Sequence, residues 1–200
     1  MKRFLLLAST LAFTLPSLRA DEPAKSDEKS AKPAEEEVFK PEKVTTTGSI
    51  AGIDYEAIAG TLIVHPKNWD DVKDKENKGN PTAVASMFYV AYFKKGAAPE
   101  SRPVTFFFNG GPGSSTVWLH MGSFGPKRVV TADDTHTPAA PYRIIDNDST
   151  LLDASDLVFI DAPGTGFSRI AGKDKEKAFF GVDQDAYAFS QFIQQFLSTH

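Results

Sequence analysis

The chain has 200 residues, hydrophobic and charged fractions of 41% and 24%, and a net charge of −4. These values allow one globular domain of moderate size, and the acidic balance, with no basic stripe, argues against a nucleic-acid partner. The sequence contains no cysteine, which excludes thiol catalysis, disulfides and zinc–thiolate sites.

The first 20 residues are predicted to be an export signal. Lys2 and Arg3 precede a mostly apolar run from Phe4 to Leu18, and Ala20 ends a small-residue cleavage site. The run is short for a membrane span, so a retained membrane anchor is the less favoured alternative. We therefore expect an exported protein, periplasmic or secreted, with no membrane association once the signal has been cleaved.

Residues 21–43 are predicted to be a disordered, charged leader. The segment consists mainly of Lys, Glu, Ala and Pro, and Val38 and Phe39 are its only large apolar residues. Such a segment cannot bury enough surface to offset the entropy lost on ordering. A solvated spacer is favoured over a partner-binding tail. The folded part is expected to span residues 44–200.

β-Prone runs with few charges predict strands at residues 45–50, 53–58, 60–64, 82–93, 103–108 and 157–160. The first two runs flank an Ala51–Gly52 turn and predict an antiparallel hairpin. The last two are unbroken apolar runs, which is typical of strands buried on both faces. Residues 70–80 are charged and end in Gly-Asn-Pro, so we expect a solvated loop there.

The last segment, residues 182–197, is predicted to be a helix. Its apolar residues recur at helical spacing: Val182, Ala186, Phe189, Phe192, Ile193 and Phe196. Asp183 and Asp185 fall in the first turn, where the helix dipole favours negative charge. Leading antiparallel hairpins, followed by buried strands and helices, predict an α/β fold.

A glycine-rich turn follows the apolar strand at residues 103–108, and its sequence is Asn109–Gly110–Gly111–Pro112–Gly113–Ser114–Ser115. Glycine allows positive φ and a close approach of the backbone to a ligand. A strand that ends in such a turn can point N–H groups at negative charge, which is how hydrolases build an oxyanion hole. The alternative is a plain tight turn that joins a strand to a helix.

A second motif spans Asp156 to Ser168 and reads Asp-Leu-Val-Phe-Ile-Asp-Ala-Pro-Gly-Thr-Gly-Phe-Ser. The two motifs, with Gly125–Pro126 between them, resemble the signature of the serine carboxypeptidases, the cathepsin A-like branch of the α/β-hydrolase superfamily. The resemblance covers roughly Val44 to the end. It implies that residues 44–200 are the N-terminal portion of an α/β-hydrolase fold.

The resemblance implies a serine-type carboxypeptidase that hydrolyses peptide or ester bonds through an acyl-enzyme, without a cofactor. It assigns one oxyanion-hole N–H to Gly111, and binding of the substrate's terminal carboxylate to Asn109 and Gly110. The implied partner is a peptide with a free C-terminus. Many members have a glutamate at the position of Ser123, and a serine cannot replace the carboxyl pair that helps to hold the substrate carboxylate. The preference for a free C-terminus is the part of the resemblance that this residue does not support.

The nucleophile elbow of α/β-hydrolases reads Gly-x-Ser-x-Gly, and the chain contains no such string. In the family, the elbow follows a helix like residues 182–197, and the acid and histidine come later. We therefore expect the chain to be truncated before the elbow and inactive alone. A non-catalytic product or binding remnant is the alternative. Because half of such a sheet exposes an apolar edge, we also expect residues 44–200 alone to be poorly soluble.

No other residue offers a clear substitute for the nucleophile. Ser114 and Ser115 lie in the glycine-rich turn and are not nucleophiles in the family. His120 is predicted on the short helix after that turn, as a packed or capping residue rather than a base. Asp161 ends a strand, a position that would suit a catalytic residue, but the resemblance implies a structural role, which is favoured. No two of the histidines, which are His65, His120, His136 and His200, have metal-ligand spacing. Neither glycine turn matches a Walker loop or a dinucleotide fingerprint, which disfavours a nucleotide site.

Overall fold

The computed structural model describes residues 39–75, 79–132, 134–137 and 139–200. The predicted signal, and the leader as far as residue 38, lie outside the described residues. The strands are β1 (Lys43–Ile50), β2 (Ile53–Val64), β3 (Val84–Lys94), β4 (Val104–Phe107), β5 (Lys127–Val129), β6 (Ile144–Asp146), β7 (Asp156–Ile160) and β8 (Arg169–Ala171). The α-helices are α1 (Asp71–Lys75), α2 (Val117–Leu119), α3 (Lys175–Phe179) and α4 (Val182–Thr199). A 3₁₀ turn covers Pro99–Ser101, and a π-helical turn, His120–Phe124, follows α2 directly.

The main sheet has the strand order β1-β2-β3-β7-β4, and β8 pairs with the first residues of β3. All neighbours are antiparallel except β4 and β7, which run parallel. Strands β5 and β6 form a separate antiparallel ribbon. The architecture is a mixed sheet with helices, in agreement with the predicted α/β class.

The predicted hairpin at Ala51–Gly52 is confirmed, but the separate strand at residues 60–64 is wrong. Strand β2 runs without interruption to Val64. A side chain at Gly60 would lie 2.6 Å from the carbonyl oxygen of Glu42 and 3.1 Å from the Tyr89 hydroxyl. Gly60 therefore serves a close approach within the sheet and does not end a strand.

The two strands predicted to be buried on both faces differ. Every residue of β7 is buried, and its side chains alternate between two hydrophobic clusters on opposite faces of the sheet. One cluster includes Val158 with Phe192 and Phe196 of α4, and the other includes Phe159 with Tyr92. Strand β4 is only half-buried. The prediction for β4 is wrong because, among the described residues, β7 is its one paired neighbour and the other edge is open.

The predicted helix is confirmed and extends to Thr199, whereas the first half of the predicted loop is helical instead. Helix α4 buries Ala188, Phe192 and Phe196 at a spacing of four, whereas Val182 and Ala186 are exposed because they lie off that face. The expected loop at residues 70–80 begins with helix α1, whose first N–H groups are capped by the carboxylate of Asp70. Among the helices that the structure describes, none has the length and apolarity that a membrane crossing requires.

Candidate functional site

The two sequence motifs meet at one edge of the sheet. Strands β4 and β7 are parallel and in register from Val104 opposite Asp156 to Phe107 opposite Phe159. Because parallel neighbours end at the same edge, the chain after each strand emerges at the same place. We call residues 109–116 the glycine turn and residues 161–168 the aspartate loop.

Asp161 joins the glycine turn to the aspartate loop. Its side chain is buried, and its Oδ1 accepts hydrogen bonds from the Thr116 N–H at 2.8 Å and the Ser115 hydroxyl at 3.1 Å. Its Oδ2 accepts one from the Phe167 N–H at 3.0 Å. A side chain at Gly166 would collide with this carboxylate, so the loop can close over Asp161 only with glycine there. The structural role predicted for Asp161 is confirmed.

Thr116 anchors the carboxyl end of the glycine turn, a role that the sequence did not reveal. Its hydroxyl donates to the carbonyl of Ile160 and accepts from the Asn109 N–H at 3.1 Å. Its own carbonyl accepts from the N–H groups of Leu119 and His120 at 3.0 and 2.9 Å. The sequence indicates only that Thr116 lies at the start of a helix, where a hydroxyl side chain commonly accepts from the first N–H groups. Here the hydroxyl ties the ends of β4 and β7 together instead.

Asn109 and Gly110 are adjacent in the turn and are hydrogen-bonded to each other. The Asn109 Oδ1 accepts from the Gly110 N–H at 3.0 Å, while its Nδ2 donates to the Ser114 hydroxyl at 2.7 Å and to the Ser115 carbonyl at 3.3 Å. The Asn109 side chain is half-buried, and Gly110 is exposed. In this state the Asn109 amide therefore organises the inside of the turn.

Gly111 lies at the exposed outer part of the turn. Its φ of +135° is a conformation that side chains rarely adopt, so glycine is required there. Within the described residues, no hydrogen bond engages its N–H. Gly110 differs, because its φ is not positive and a side chain there would meet nothing within 4 Å. The backbone thus requires glycine at residue 111 and does not require it at residue 110.

His120 is packed against the sheet, as predicted. Its Nε2 and the Tyr92 hydroxyl share a hydrogen bond of 2.6 Å, and its ring stacks on Phe159 with centroids 4.7 Å apart. Burial lowers the pKa of His120 to about 4, against the opposing attraction of the Asp161 carboxylate. Burial also raises the pKa of Tyr92, with a further contribution from Tyr55. The imidazole of His120 is therefore neutral at neutral pH.

The segment around Ser123 is held by side chains that follow β6. The Nδ2 of Asn147 donates to the carbonyls of Ser123 and Gly125 at 2.6 and 2.8 Å. The Thr150 hydroxyl donates to the carbonyl between them, that of Phe124, at 2.9 Å. Asn147 is buried. These contacts satisfy the carbonyls at the end of the π-helical turn and fix the backbone of Ser123.

A cavity of about 240 Å³ lies between the glycine turn, the aspartate loop and the sheet. Its lining is mainly apolar and consists of Phe88, Val90, Val117, Met121, Phe159 and Phe167 with Ser115, Thr116, His120 and Asp161. The Ser115 hydroxyl donates to Asp161 and accepts from the Val117 N–H at 3.3 Å. Among the described residues, no hydrogen bond joins Ser115 to His120, so Ser115 lacks the adjacent base that activates a serine nucleophile.

Comparisons with known proteins lead to one family. The family model described as serine carboxypeptidase matches residues 74–200. A protein of Oryza sativa subsp. japonica described as serine carboxypeptidase-like is 31% identical over 118 residues, which are 58% of this chain and 25% of that protein. The pheromone-processing carboxypeptidase KEX1 of Phytophthora infestans is 31% identical over 57% of this chain and 17% of its own length. That of Cryptococcus gattii is 32% identical over 54% of this chain and 15% of its own length. The chain thus spans a quarter or less of these curated relatives.

Proposed function

Because the chain belongs to the serine carboxypeptidase family, we propose that its glycine turn is the oxyanion-hole turn of a serine-type carboxypeptidase-like hydrolase. The reaction is the hydrolysis of a peptide or ester bond through an acyl-enzyme. The observation that carries the proposal is the N–H of Gly111, exposed and unengaged within the described residues, on a turn clamped to the sheet through Thr116 and Asp161. A rigid donor of this kind stabilises negative charge without reorganisation during the reaction.

In this proposal Gly111 donates to the oxyanion that forms when the substrate carbonyl is attacked. An effective donor lies about 3 Å from the oxyanion, so the backbone must be approachable. Gly110 has no side chain, and nothing lies within 4 Å of the place where one would begin, so the backbone can be approached there. Asn109 and Gly110 bind the substrate's terminal carboxylate. The Gly110 N–H would then exchange its present acceptor, the Asn109 Oδ1, for a carboxylate oxygen.

The proposed nucleophile comes from a segment outside the 200 residues, which contain no Gly-x-Ser-x-Gly. The open edge of β4 supports this, because a parallel strand paired there would end beside the glycine turn. We extend the proposal to domain organisation: residues 1–20 direct export to a periplasm or the medium, a spacer follows, and the catalytic domain begins after it. The spacer predicted at residues 21–43 ends earlier than expected, because Glu42 is hydrogen-bonded to Thr61 and Lys43 pairs with Gly60 in β1. The second candidate, a non-catalytic product or binding remnant, rests on the missing elbow alone.

Two measurements separate the candidates. If the coding sequence continues in frame after His200 with a Gly-x-Ser-x-Gly elbow, the enzyme is supported; a stop codon would support the remnant. Labelling with a fluorophosphonate probe gives the second test, because the chain alone should stay unlabelled while the product of a continued frame should react. Labelling of the chain alone would contradict the proposed origin of the nucleophile.

In an active product, Gly111→Ala tests the oxyanion donor. Alanine at φ +135° shifts the N–H, and loss of one oxyanion-hole donor lowers kcat by about 100- to 1,000-fold. Gly113→Ala is the matched control, because residue 113 also has a positive φ, +92°, and open space around it. Equal losses in kcat for the two variants would refute the assignment to Gly111.

A further inference from the structure

The glycine turn is fixed to the sheet at a second point, distinct from Asp161. The N–H of His120 donates to the Thr116 carbonyl at 2.9 Å, and the imidazole shares a hydrogen bond of 2.6 Å with the Tyr92 hydroxyl on β3. The imidazole also stacks on Phe159 of β7. One residue therefore connects the end of the turn to two neighbouring strands.

The backbone around His120 is shaped to hold that ring in place. The π-helical turn from His120 to Phe124 is a rare conformation that is frequent at functional sites. The N–H of Gly125 closes it by donating to the His120 carbonyl at 3.0 Å. A side chain at Gly125 would collide with that carbonyl and would lie 2.9 Å from the imidazole Cδ2. Glycine at residue 125 therefore leaves the space that the imidazole and the carbonyl of His120 occupy.

We propose that His120 is a positioning residue of the glycine turn, which it holds on strand β3 as a neutral imidazole that accepts a hydrogen bond from Tyr92. This inference rests on the proposed function for its catalytic meaning. Asp161 fixes the Thr116 N–H from the side of β7, and His120 fixes the Thr116 carbonyl from the side of β3. The two contacts together fix both peptide groups of Thr116, at the carboxyl end of the glycine turn.

The charges around His120 are few. Tyr92 faces it from β3, with Tyr55 of β2 behind at a ring distance of 5.5 Å, and Asp161 approaches from the end of β7. The β5–β6 ribbon contacts the π-helical turn and carries the ion pair of Lys127 with Asp146. Of these groups, Asp161 favours the imidazolium, and burial outweighs it, which lowers the pKa of His120. Protonation places a hydrogen on Nε2, so the ring must donate to the Tyr92 hydroxyl oxygen instead of accepting from it, and a buried positive charge forms at the end of the turn. We expect this change to shift the glycine turn.

Nuclear magnetic resonance of the full chain tests this directly. The ring protons of His120 and the amides of Gly110, Gly111 and Gly113 are followed from neutral pH downwards. We expect the three glycine amides to shift with the same midpoint as the His120 ring. The amide of Ala57, buried in β2, reports global unfolding and should stay unchanged through that midpoint. Static glycine amides, or a parallel change at Ala57, would overturn the proposal.

Two variants sharpen the test. Tyr92→Phe removes only the hydroxyl that joins the ring to β3, and it should uncouple the three glycine amides from the His120 titration, while the matched control Tyr142→Phe, at an exposed residue, should leave them coupled. His120→Asn should abolish the pH response of the glycine amides. If a variant does not fold, the wild-type titration still decides. The titration uses no substrate, so it is independent of the hydrolysis assay. If the glycine amides and the His120 ring share a midpoint but an active product does not hydrolyse substrate, only the proposed function is refuted. If hydrolysis is normal but the midpoints differ, only the positioning role of His120 is refuted.

Discussion

Replacing Asp161 by asparagine exchanges one carboxylate oxygen for an amide nitrogen at nearly constant volume. Both carboxylate oxygens are in use, Oδ1 by Thr116 and Ser115 and Oδ2 by Phe167. In either orientation of the new side chain, an amide NH₂ therefore faces a backbone N–H. The orientation that loses least directs the NH₂ towards Phe167, which is the more exposed partner, and keeps both contacts of Oδ1.

The expected cost follows from these contacts. A hydrogen bond to a charged group contributes about 1.5–3 kcal/mol, and the bond to Phe167 is lost outright. The two remaining bonds lose the charge that strengthens them, which makes them about half as strong. Together these changes should lower the free energy of unfolding by about 3–6 kcal/mol. The matched control is Asp148→Asn at an exposed carboxylate, for which a change within about 0.5 kcal/mol is expected.

Urea unfolding of the full chain, followed by circular dichroism, measures both variants against the wild type. The slope of the free energy against urea should stay constant, so that the shift of the midpoint gives the change in stability. If Asp161→Asn costs no more than the Asp148 control, the carboxylate does not clamp the two loops, and the account of the site given above is wrong.

Three further predictions concern the same site. Gly166→Ala should destabilise the chain by more than Gly52→Ala, because both have positive φ but only residue 166 would collide with Asp161; urea unfolding again measures the difference. For His120, the unfolded chain takes up a proton near the ordinary pKa of 6.5 and the folded chain only near 4. The unfolded state therefore binds more protons in that window, and stability should fall by up to about 3 kcal/mol as the pH decreases through it, a slope that His120→Asn should reduce. Gly110→Ala should leave stability unchanged or raise it by up to about 1 kcal/mol, yet lower hydrolysis in an active product.

The elements predicted correctly from the sequence depend on local patterns. The hairpin at Ala51–Gly52 and helix α4 are each determined by a turn or a periodicity within a few residues. Gly60 misled the prediction because glycine also marks places where two segments come close, and its neighbours Glu42 and Tyr89 are distant in the sequence. A local pattern does not distinguish a glycine needed for space from one that ends a strand.

The candidate site shows the same division. The glycine turn and the aspartate loop are both visible as motifs, but their contact depends on the parallel pairing of β4 with β7, about fifty residues apart in the chain. The anchor at Thr116 and the partner of His120 follow from that pairing and from the position of β3. The half-burial of β4 likewise depends on how many strands pair with it, which its own apolar residues do not encode.

The two adjacent glycines of the turn help to choose between a plain tight turn and an oxyanion turn. A tight turn needs glycine only where φ is positive or space is lacking, and Gly111, at φ +135°, meets the first condition. Gly110 meets neither condition, and glycine costs more conformational entropy on folding than any other residue. The fold alone therefore favours a larger residue at position 110. A ligand that approached the N–H of Gly111 would favour glycine there, and the open space at Gly110 supports the proposed oxyanion turn over a plain connection of a strand to a helix.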